Sequence, residues 1–292
     1  MKRFAPVFIV IAGILWGCLG IFVRRLNELG LFSMEIVALR AIVTCVFMGL
    51  FLLLYNPNLF VIRRKDIWCF IGTGICSIVF FNFCYFKAIS MISLSIAAIL
   101  LYTAPAIVMV LSFILFKEQF TKRKLASLIL TFIGCVLVTG VITNSGNVTG
   151  LGLLTGLGAG LGYALYSIFS RYAIEKGYHT FTITFYTFLI AAIVTLFIVD
   201  IPQIYTVTTE SIGTFCFCIA LGIVCTVLPY LTYTLGLQFV DNSKASIIAS
   251  VEPVTATLLG FFLFGEKMSI SGVLGVVLVI AALLICNKRG NE

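Results

Sequence analysis

Two charged residues, Glu252 and Arg40, lie where the sequence is otherwise apolar. Glu252 is about eight residues into the apolar run 245–264, which is roughly 12 Å along a helix. Arg40 is about six residues into the run 34–54. A charge at such depth in hydrocarbon is costly unless it is paired, protonated or facing water, so both residues are candidates for a functional site.

Two interpretations of Glu252 follow from its position. Its carboxylate could carry a coupling proton or bind a substrate amine. Alternatively, it could cap the backbone that is interrupted beside Pro253. The equivalent position in the first half of the chain is Ala104, so this charge belongs to one half only.

Arg40 also has two interpretations, both of which place it near the outer surface together with Glu35. It could attract anionic groups or form an outer gate with Glu28 or Glu35; alternatively, it is part of a buried ion pair that holds helices together. Glu35 and Arg40 are five residues apart and therefore do not share a helix face. We expect each of them to find its partner elsewhere.

Aromatic and amide side chains are candidates for the lining of a substrate cavity, because rings suit flat or cationic substrates and hydroxyls can orient them. The candidates are Trp16, Asn82, Tyr85, Tyr102, Tyr163, Tyr166, Tyr230 and Tyr233. Two pairs of these aromatics occupy equivalent positions in the two halves of the chain. The alternative is an interfacial belt or ordinary helix packing.

The halves are related by an internal repeat with an offset of 147 to 148 residues. The matched residues include Trp16 with Tyr163, Tyr85 with Tyr233, Pro105 with Pro253, and Glu118 with Glu266. We therefore divide the chain into a first copy, 1–143, and a second copy, 149–289, with a polar joint at 143–149. Duplication within a membrane protein is a common basis for transporter folds.

Pro105 and Pro253 predict an interruption at the same point of both copies. Proline has no N–H, and its ring crowds the carbonyl four residues back, so the carbonyls of Leu101 and Ala249 lose their helical partners. A carbonyl freed in this way must face protein or a wet cavity. The two prolines could therefore be hinges for gating, or fixed bends needed only for packing.

Composition limits the class of protein. Hydrophobic residues make up 61% of the chain and charged residues 10%, far below the quarter typical of soluble domains. The net charge of +8 comes from short basic clusters between apolar runs, which is the pattern of membrane orientation and not of nucleic-acid binding. The single histidine and the absence of a C-x-x-C pair predict no metal site and no cofactor.

Ten apolar runs are long enough to cross a bilayer, which needs about 20 residues in a helix. They cover residues 5–23, 34–54, 67–89, 94–116, 124–142, 150–173, 182–200, 212–235, 245–264 and 270–287. This predicts an all-α membrane protein of ten transmembrane helices in two five-helix repeats around a central cavity.

Most of the 19 Lys and Arg residues fall on one side when the N-terminus is placed in the cytoplasm. The sequence therefore predicts a multi-pass protein of the plasma membrane with both termini cytoplasmic. Five spans per copy, an odd number, require the copies to be inverted. The charges agree, because the segment after the fourth span holds Lys117, Lys122, Arg123 and Lys124, while the segment after the ninth holds only Lys267.

These landmarks together resemble the drug/metabolite transporter superfamily and its EamA-domain branch. The matching residues are Trp16-Gly17, Ala38-Leu39-Arg40, Leu101-Tyr102-Thr103-Ala104-Pro105, Glu118, Thr121, Glu252-Pro253 and Phe264-Gly265-Glu266. The resemblance covers essentially the whole chain. It implies a carrier that moves small metabolites or drugs, often outward, through a central cavity between the copies.

The sequence thus predicts a secondary transporter, an exporter or exchanger of small metabolites, amino-acid-like compounds or drugs. Its partners would be a small-molecule substrate and the lipid bilayer, with protons as the candidate coupling ion and either a monomer or a dimer as the assembly. The alternatives are a membrane-embedded enzyme and a non-transport scaffold. An enzyme is disfavoured because one histidine and no G-x-S-x-G motif leave no recognisable catalytic set.

Overall fold

The computed structural model of the protein describes residues 2–140 and 148–287. Within these ranges every regular element is helical. Most of the predicted polar joint, and the basic pair Lys288 and Arg289, lie outside the described residues. Thr149 is described, and its side chain accepts a hydrogen bond from the backbone N–H of Gly152 to begin the helix that follows.

The described chain forms ten helical runs, which we number in order. They are α1 Ala5–Glu28, α2 Ser33–Tyr55, α3 Arg64–Ile89, α4 Leu94–Phe116, α5 Lys122–Val138, α6 Gly150–Glu175, α7 Thr180–Leu196, α8 Ile212–Leu237, α9 Asn242–Phe264 and α10 Ile270–Asn287.

The all-α, ten-helix prediction is confirmed in its outline. Eight of the runs are individually long and apolar enough to cross a membrane. Helix α7 reaches that length only together with Ile201–Thr209, from which it is bent by 111°. Helix α5 has 17 residues and is the shortest of the other nine runs.

Two predicted spans are longer than the helices that form. The run 182–200 ends as a helix at Leu196, because Asp200 caps a new helix with Pro202 in its first turn. The run 124–142 ends at Val138, and Gly140 follows with a φ of +65°. A left-handed glycine just past a helix is a common helix stop.

The outer surface of the bundle is apolar. Large hydrophobic side chains such as Leu54, Leu154, Phe262 and Leu284 are mostly exposed. Soluble monomers rarely expose contiguous apolar surface on this scale, whereas a bilayer favours it. The surface therefore agrees with a helical membrane protein.

The two copies pack with approximate two-fold symmetry. Helices α2 and α7 pack on each other, as do α5 and α10. Helix α1 packs against α8 and α9, and its repeat equivalent α6 packs against α3 and α4. Each copy contributes five of the ten helical runs, which is the odd number that the predicted inversion of the copies requires.

Helices α4 and α9 are each interrupted near the middle. Helix α4 breaks at Tyr102 and Thr103, just before Pro105, and α9 breaks at Ser250, before Pro253. A side chain at Gly160 would come within 2.7 Å of the Leu100 carbonyl oxygen, which lies at the first break. The freed backbone therefore packs against protein, as the absence of water in a membrane requires.

The second break is packed in the same way by the equivalent helix. A side chain at Gly13 of α1 would approach the Ala249 carbonyl oxygen to 2.8 Å, and one at Gly17 would approach the Glu252 carbonyl oxygen to the same distance. Only glycine permits this approach. Helix α1 thus lies directly against the segment of α9 that carries Glu252.

Helices α3 and α8 each contain a π-helical segment at equivalent positions, Gly72–Val79 and Ile223–Val227. A π-helical turn is wider than an α-helical one and is frequently found at functional sites. In α8 the segment precedes Pro229, which cannot donate a backbone hydrogen bond. Pro229 therefore directly follows a widened turn.

One face of the bundle, which we call the basic face, carries Arg63, Lys124 and Lys176. Asp66 is fully buried there. Its carboxylate forms ion pairs with Arg63 at 2.7 Å and Lys176 at 2.8 Å, and accepts a hydrogen bond of 2.8 Å from the Tyr178 hydroxyl. The hydrogen bond from Lys176 to Asp66 raises the pKa of that lysine. This network joins the start of α3 to the end of α6, and hence one copy to the other.

Glu118 makes the second connection at the basic face. Its carboxylate accepts hydrogen bonds from the backbone N–H groups of Asn242 and Ser243, at 2.7 and 3.2 Å, and from the Ser243 hydroxyl. A carboxylate is favoured at this place because it faces the positive end of the α9 dipole. Lys124 adds ion pairs to Glu118 and Asp241.

Candidate functional site

Five aromatic side chains meet at the centre of the bundle and form what we call the aromatic chamber: Trp16, Tyr163, Tyr166, Tyr230 and Tyr233. The Trp16 ring lies 5.1 Å from that of Tyr230, 5.3 Å from Tyr233 and 6.2 Å from Tyr163. Tyr166 lies 4.9 Å from Tyr230, edge to face. These are favourable distances for aromatic pairs.

Helices α1, α6 and α8 supply the side chains of the aromatic chamber. Tyr163 and Tyr166 are three residues apart on α6, as are Tyr230 and Tyr233 on α8, so each pair shares a helix face. Trp16 is brought between them by α1, which packs against α8. The chamber therefore includes residues of both copies.

Hydrogen bonds hold two of the tyrosines. The Tyr166 hydroxyl pairs with the Thr234 hydroxyl at 2.8 Å, and the Tyr233 hydroxyl pairs with that of Ser167 at 2.7 Å. In contrast, Nε1 of Trp16 is buried and has no hydrogen-bond partner among the described atoms. An indole N–H in such a place is a free donor.

A narrow cavity of about 20 Å³ lies against the chamber. Its remaining wall comes from α3, through Ser77 and Ile78 of the π-helical segment and Phe81. This volume holds about one water molecule, so the space between these helices is nearly closed in this structure.

Glu252 lies beside the chamber at the break in α9. Its Oε2 accepts a hydrogen bond of 2.8 Å from the Tyr163 hydroxyl. Tyr85 and Tyr102 of the first copy are also close enough to interact electrostatically with its carboxylate. The cap interpretation receives no support, since Tyr163 is the hydrogen-bond partner of this carboxylate within the described ranges.

Arg40 reaches the opposite side of the chamber. Its Nε donates a hydrogen bond of 2.9 Å to the hydroxyl of Thr226, in the π-helical segment one turn before Tyr230. Arg40 is buried, and across residues 2–140 and 148–287 no carboxylate lies within the 4.0 Å that defines an ion pair. It nevertheless interacts electrostatically with Glu252 over a longer distance.

Neither the outer gate with Glu28 or Glu35 nor a buried ion pair of Arg40 is present among the described residues, whereas the expectation that Glu35 and Arg40 have separate partners agrees with the contacts. Glu35 instead accepts a hydrogen bond of 2.7 Å from the backbone N–H of Phe32 and caps the start of α2. Glu28 pairs with Arg25 at the surface. The five-residue spacing explains the result, because it directs Glu35 to the helix end and Arg40 to the interior.

Asn82 has a local role. Its side-chain amide donates a hydrogen bond of 2.8 Å to the Ile78 carbonyl within its own helix. That carbonyl belongs to the π-helical segment, where helical hydrogen bonding is altered. Asn82 thus supports the shape of the cavity wall.

Sequence reasoning missed the polar residues that position the chamber, namely Thr226, Thr234, Ser167 and Ser77. A signal was present for α8, because Thr226, Tyr230 and Thr234 are spaced by four residues and so form one polar stripe on an apolar helix. No such signal marks Ser77, whose importance depends on the wide turn around it.

The fold and the site together define a class of protein: a helical membrane carrier with a central, partly charged site between two repeats. The sequence matches the EamA-like transporter family twice, over residues 3–140 and 150–288. The chain belongs to this family. Membership supports a transport protein and not an enzyme.

Relatives match over nearly the full length of the chain. A protein of Archaeoglobus fulgidus described as an "uncharacterized transporter" is 29% identical over 287 residues, covering 97% of this chain and 96% of its own. The "uncharacterized transporter YxxF" of Bacillus subtilis (strain 168) is 25% identical, covering 99% and 92%. A crystal structure that is 16% identical shares the fold, with a TM-score of 0.80 and coverage of 98% of this chain and 97% of that one.

Proposed function

We propose that this protein is a secondary transporter that exports or exchanges small organic metabolites by alternating access, with protons as the coupling ion. It would span the plasma membrane with both termini in the cytoplasm, since that topology predicts most of the Lys and Arg residues on the cytoplasmic side. The substrate would bind at the aromatic chamber.

The observation that supports this proposal most is the place of Glu252. It is a carboxylate in the middle of a membrane bundle, at a helix break, held by Tyr163 at 2.8 Å and by no cation within ion-pair distance among the described residues. A carboxylate of this kind can exchange a proton, and intramembrane carboxylates commonly form proton relays. Protonation of Glu252 and binding of a substrate cation would then compete.

The two faces of the bundle differ in a way that supports alternating access. The basic face is joined across the copies by the buried Asp66 and by Glu118. Glu266 is the equivalent of Glu118 in the second copy, and among the described residues its carboxylate forms an exposed ion pair with Arg24 at 2.7 Å and none with a buried cation. Transport would require these contacts to break and form in turn while α4 and α9 bend at their interruptions.

The test uses purified protein in proteoliposomes, with an internal pH dye and a panel of amines, carboxylates and zwitterions added outside. We expect at least one compound to cause saturable, pH-gradient-dependent proton flux. Glu252→Gln should reduce that flux at least tenfold and remove its dependence on the gradient, because an amide cannot release a proton.

The matched control is Glu266→Gln, which removes a carboxylate that is half exposed at the surface. It should retain most of the flux. Unchanged flux and pH dependence in Glu252→Gln would overturn the role of Glu252, and the absence of flux for every compound would overturn the transport proposal.

A further inference from the structure

We infer that a cavity at the basic face binds the phosphate headgroup of an anionic phospholipid, at a site separate from the aromatic chamber. The cavity has a volume of about 430 Å³ and lies where the segment between α2 and α3 meets the segment between α6 and α7. Arg63 of the first copy and Lys176 of the second copy line it. A lipid bound here would be a structural partner of the protein and not its transported substrate.

The lining of the cavity favours an anion. Besides the two cations, the side chains of Asn58, Tyr178 and His179 line it, and no carboxylate does so within the described ranges. Nδ1 of His179 accepts a hydrogen bond from the backbone N–H of Phe181, so in the neutral ring the hydrogen is on Nε2 and can be donated. Cations together with neutral donors match the oxygens of a phosphate group.

The Arg63 guanidinium is fixed in place and still accessible. Its Nε forms the ion pair with Asp66 at 2.7 Å, and its Nη2 donates a hydrogen bond of 3.1 Å to the Lys176 carbonyl. The side chain nevertheless remains 54% exposed. A mobile surface arginine loses side-chain entropy when it binds an anion, whereas the Arg63 side chain is already ordered by these contacts. Arg63 is therefore preorganised for an anion that approaches from outside.

The buried carboxylate of Asp66 leaves this end of the protein positively charged. It is shared by Arg63 and Lys176, so two cations and one anion leave a net charge of +1. The next two residues, Arg64 and Lys65, are exposed and form no ion pair in the described part of the chain. Basic pockets between membrane helices bind the headgroups of anionic lipids.

The position of the cavity favours a lipid over a soluble anion. Helix α2 ends at Tyr55 and α3 begins at Arg64, so the cavity lies where membrane-spanning helices end. Near it, the exposed ring of Trp68 lies 5.8 Å from Nζ of Lys176. Exposed tryptophan is typical of the membrane–water interface. Val61, which lines the cavity, is 73% exposed and offers an apolar contact for the part of the lipid below the headgroup.

A phosphate group bound in this cavity would link the two copies. Asp66 already joins Arg63 to Lys176 from the buried side. An anion on the exposed side would form a second bridge between the same two cations. We therefore expect bound anionic lipid to stabilise the folded protein, since a ligand that binds only the native state shifts the unfolding equilibrium toward it.

The test uses tryptophan fluorescence, because Trp16 and Trp68 are the two tryptophans of the chain and Trp16→Phe leaves Trp68 as the only reporter. The protein is placed in phosphatidylcholine bilayers that contain increasing fractions of phosphatidylglycerol with brominated, quenching acyl chains. We expect half-maximal quenching at a lipid fraction about fivefold lower than with brominated phosphatidylcholine, since each basic residue near the surface contributes roughly this factor.

Two variants of the cavity test the assignment. Lys176→Gln should reduce the preference for phosphatidylglycerol about fivefold, but it also removes a partner of Asp66. Asn58→Asp leaves that network intact and places a carboxylate in the cavity, which should repel the phosphate and remove the preference. The controls, which should keep the preference, are Asn27→Asp and Lys122→Gln, the same changes at exposed residues outside the cavity.

Thermal unfolding in detergent distinguishes a lipid from a soluble phosphate. We expect phosphatidylglycerol to raise the unfolding midpoint of the parent protein but not that of Asn58→Asp, and inorganic phosphate to raise neither. Equal quenching by the two brominated lipids, or a preference that persists in both Lys176→Gln and Asn58→Asp, would overturn the inference. Stabilisation by inorganic phosphate as large as that by the lipid would also overturn it and assign the cavity to a soluble anion.

Discussion

The Arg40 guanidinium is oriented by hydrogen bonding to helix α8, above all by the Thr226 hydroxyl. Thr226 is fully buried in the π-helical segment of α8 and accepts the hydrogen bond from Nε of Arg40 at 2.9 Å. Without this bond the long side chain could adopt other rotamers and turn its fork away from the chamber. In the proposed transporter, Thr226 would therefore act as a positioning residue for the Arg40 side chain.

We predict that Thr226→Val weakens substrate binding with a smaller effect on the maximal rate. A hydrogen bond to a charged group contributes about 1.5–3 kcal/mol, so KM for the transported compound should rise roughly tenfold or more. The measurement is concentration-dependent uptake in proteoliposomes, with KM and the maximal rate fitted separately.

The control for this prediction is Thr232→Val on the same helix. The Thr232 hydroxyl bonds only to carbonyls of its own helix, at 2.8 and 3.1 Å, and its removal should leave KM unchanged. A KM for Thr226→Val equal to that of the parent protein would show that Arg40 is positioned by its packing alone.

At the scale of the helices, the site depends on how closely α6 approaches the break in α4. Gly160 makes this approach possible, because a Cβ atom there would lie 2.7 Å from the Leu100 carbonyl oxygen and from the Thr103 hydroxyl. Tyr163, which holds Glu252, is one turn further along α6. The row of glycines on α6 thus packs inside the chain, as the small-residue pattern indicates.

We predict that Gly160→Val lowers both stability and transport. Overpacking of a close helix contact typically costs about 1–3 kcal/mol, and the shift of α6 would move the Tyr163 hydroxyl away from Glu252. The expected result is a lower thermal unfolding midpoint together with a transport rate reduced severalfold. Both are measured on the same detergent-purified protein before and after reconstitution.

Gly150→Ala provides the comparison for that helix. A Cβ atom at Gly150 would meet nothing within 4 Å, and alanine is the better helix former, so the unfolding midpoint should stay the same or rise. If Gly160→Val had the unfolding midpoint and the transport rate of the parent protein, the close contact between α6 and α4 would not be needed for stability or transport.

At the scale of the whole molecule, the two copies are held together at the basic face by buried carboxylates. Asp66 is fully buried and neutralised by Arg63 and Lys176, which come from different copies. Breaking a buried ion pair by removing one partner is strongly destabilising because the remaining charges lose their compensation. The network therefore stabilises the contact between the two copies at this face.

We predict that Asp66→Asn lowers the thermal unfolding midpoint by several degrees, since Arg63 and Lys176 would lose the carboxylate that neutralises them. The measurement is thermal unfolding in detergent. Glu28→Gln, which removes a carboxylate from an exposed pair with Arg25, should have little effect. Equal midpoints for the two variants would mean that Asp66 does not hold the copies together.

Much of this architecture could be predicted from the sequence. The apolar runs indicate ten spans, and the repeat of Pro105 as Pro253 indicates equivalent positions in two copies. The structure interrupts α4 and α9 immediately before these prolines. Hydrophobicity and a missing N–H act locally along the chain, so their consequences can be read without knowledge of the fold.

The charged pair could be found but not assembled from the sequence. The cost of burying a charge in lipid singles out Glu252 and Arg40, yet the partner expected for Arg40 was a nearby carboxylate. Its hydrogen-bond partner is Thr226, 186 residues away. Which helices pack together decides such contacts, and sequence periodicity shows only which face of a helix a residue occupies.

By itself, then, the sequence determined the membrane class, the two copies and the residues whose burial is costly, since each follows from hydrophobicity and local backbone chemistry. The tertiary structure alone decided that α1, α6 and α8 meet around Trp16, and that Arg40 and Glu252 lie on two sides of the resulting chamber. The physical reason is that a site between helices depends on close packing and on widened turns. Both depend on contacts between the two copies, which form only in the folded structure.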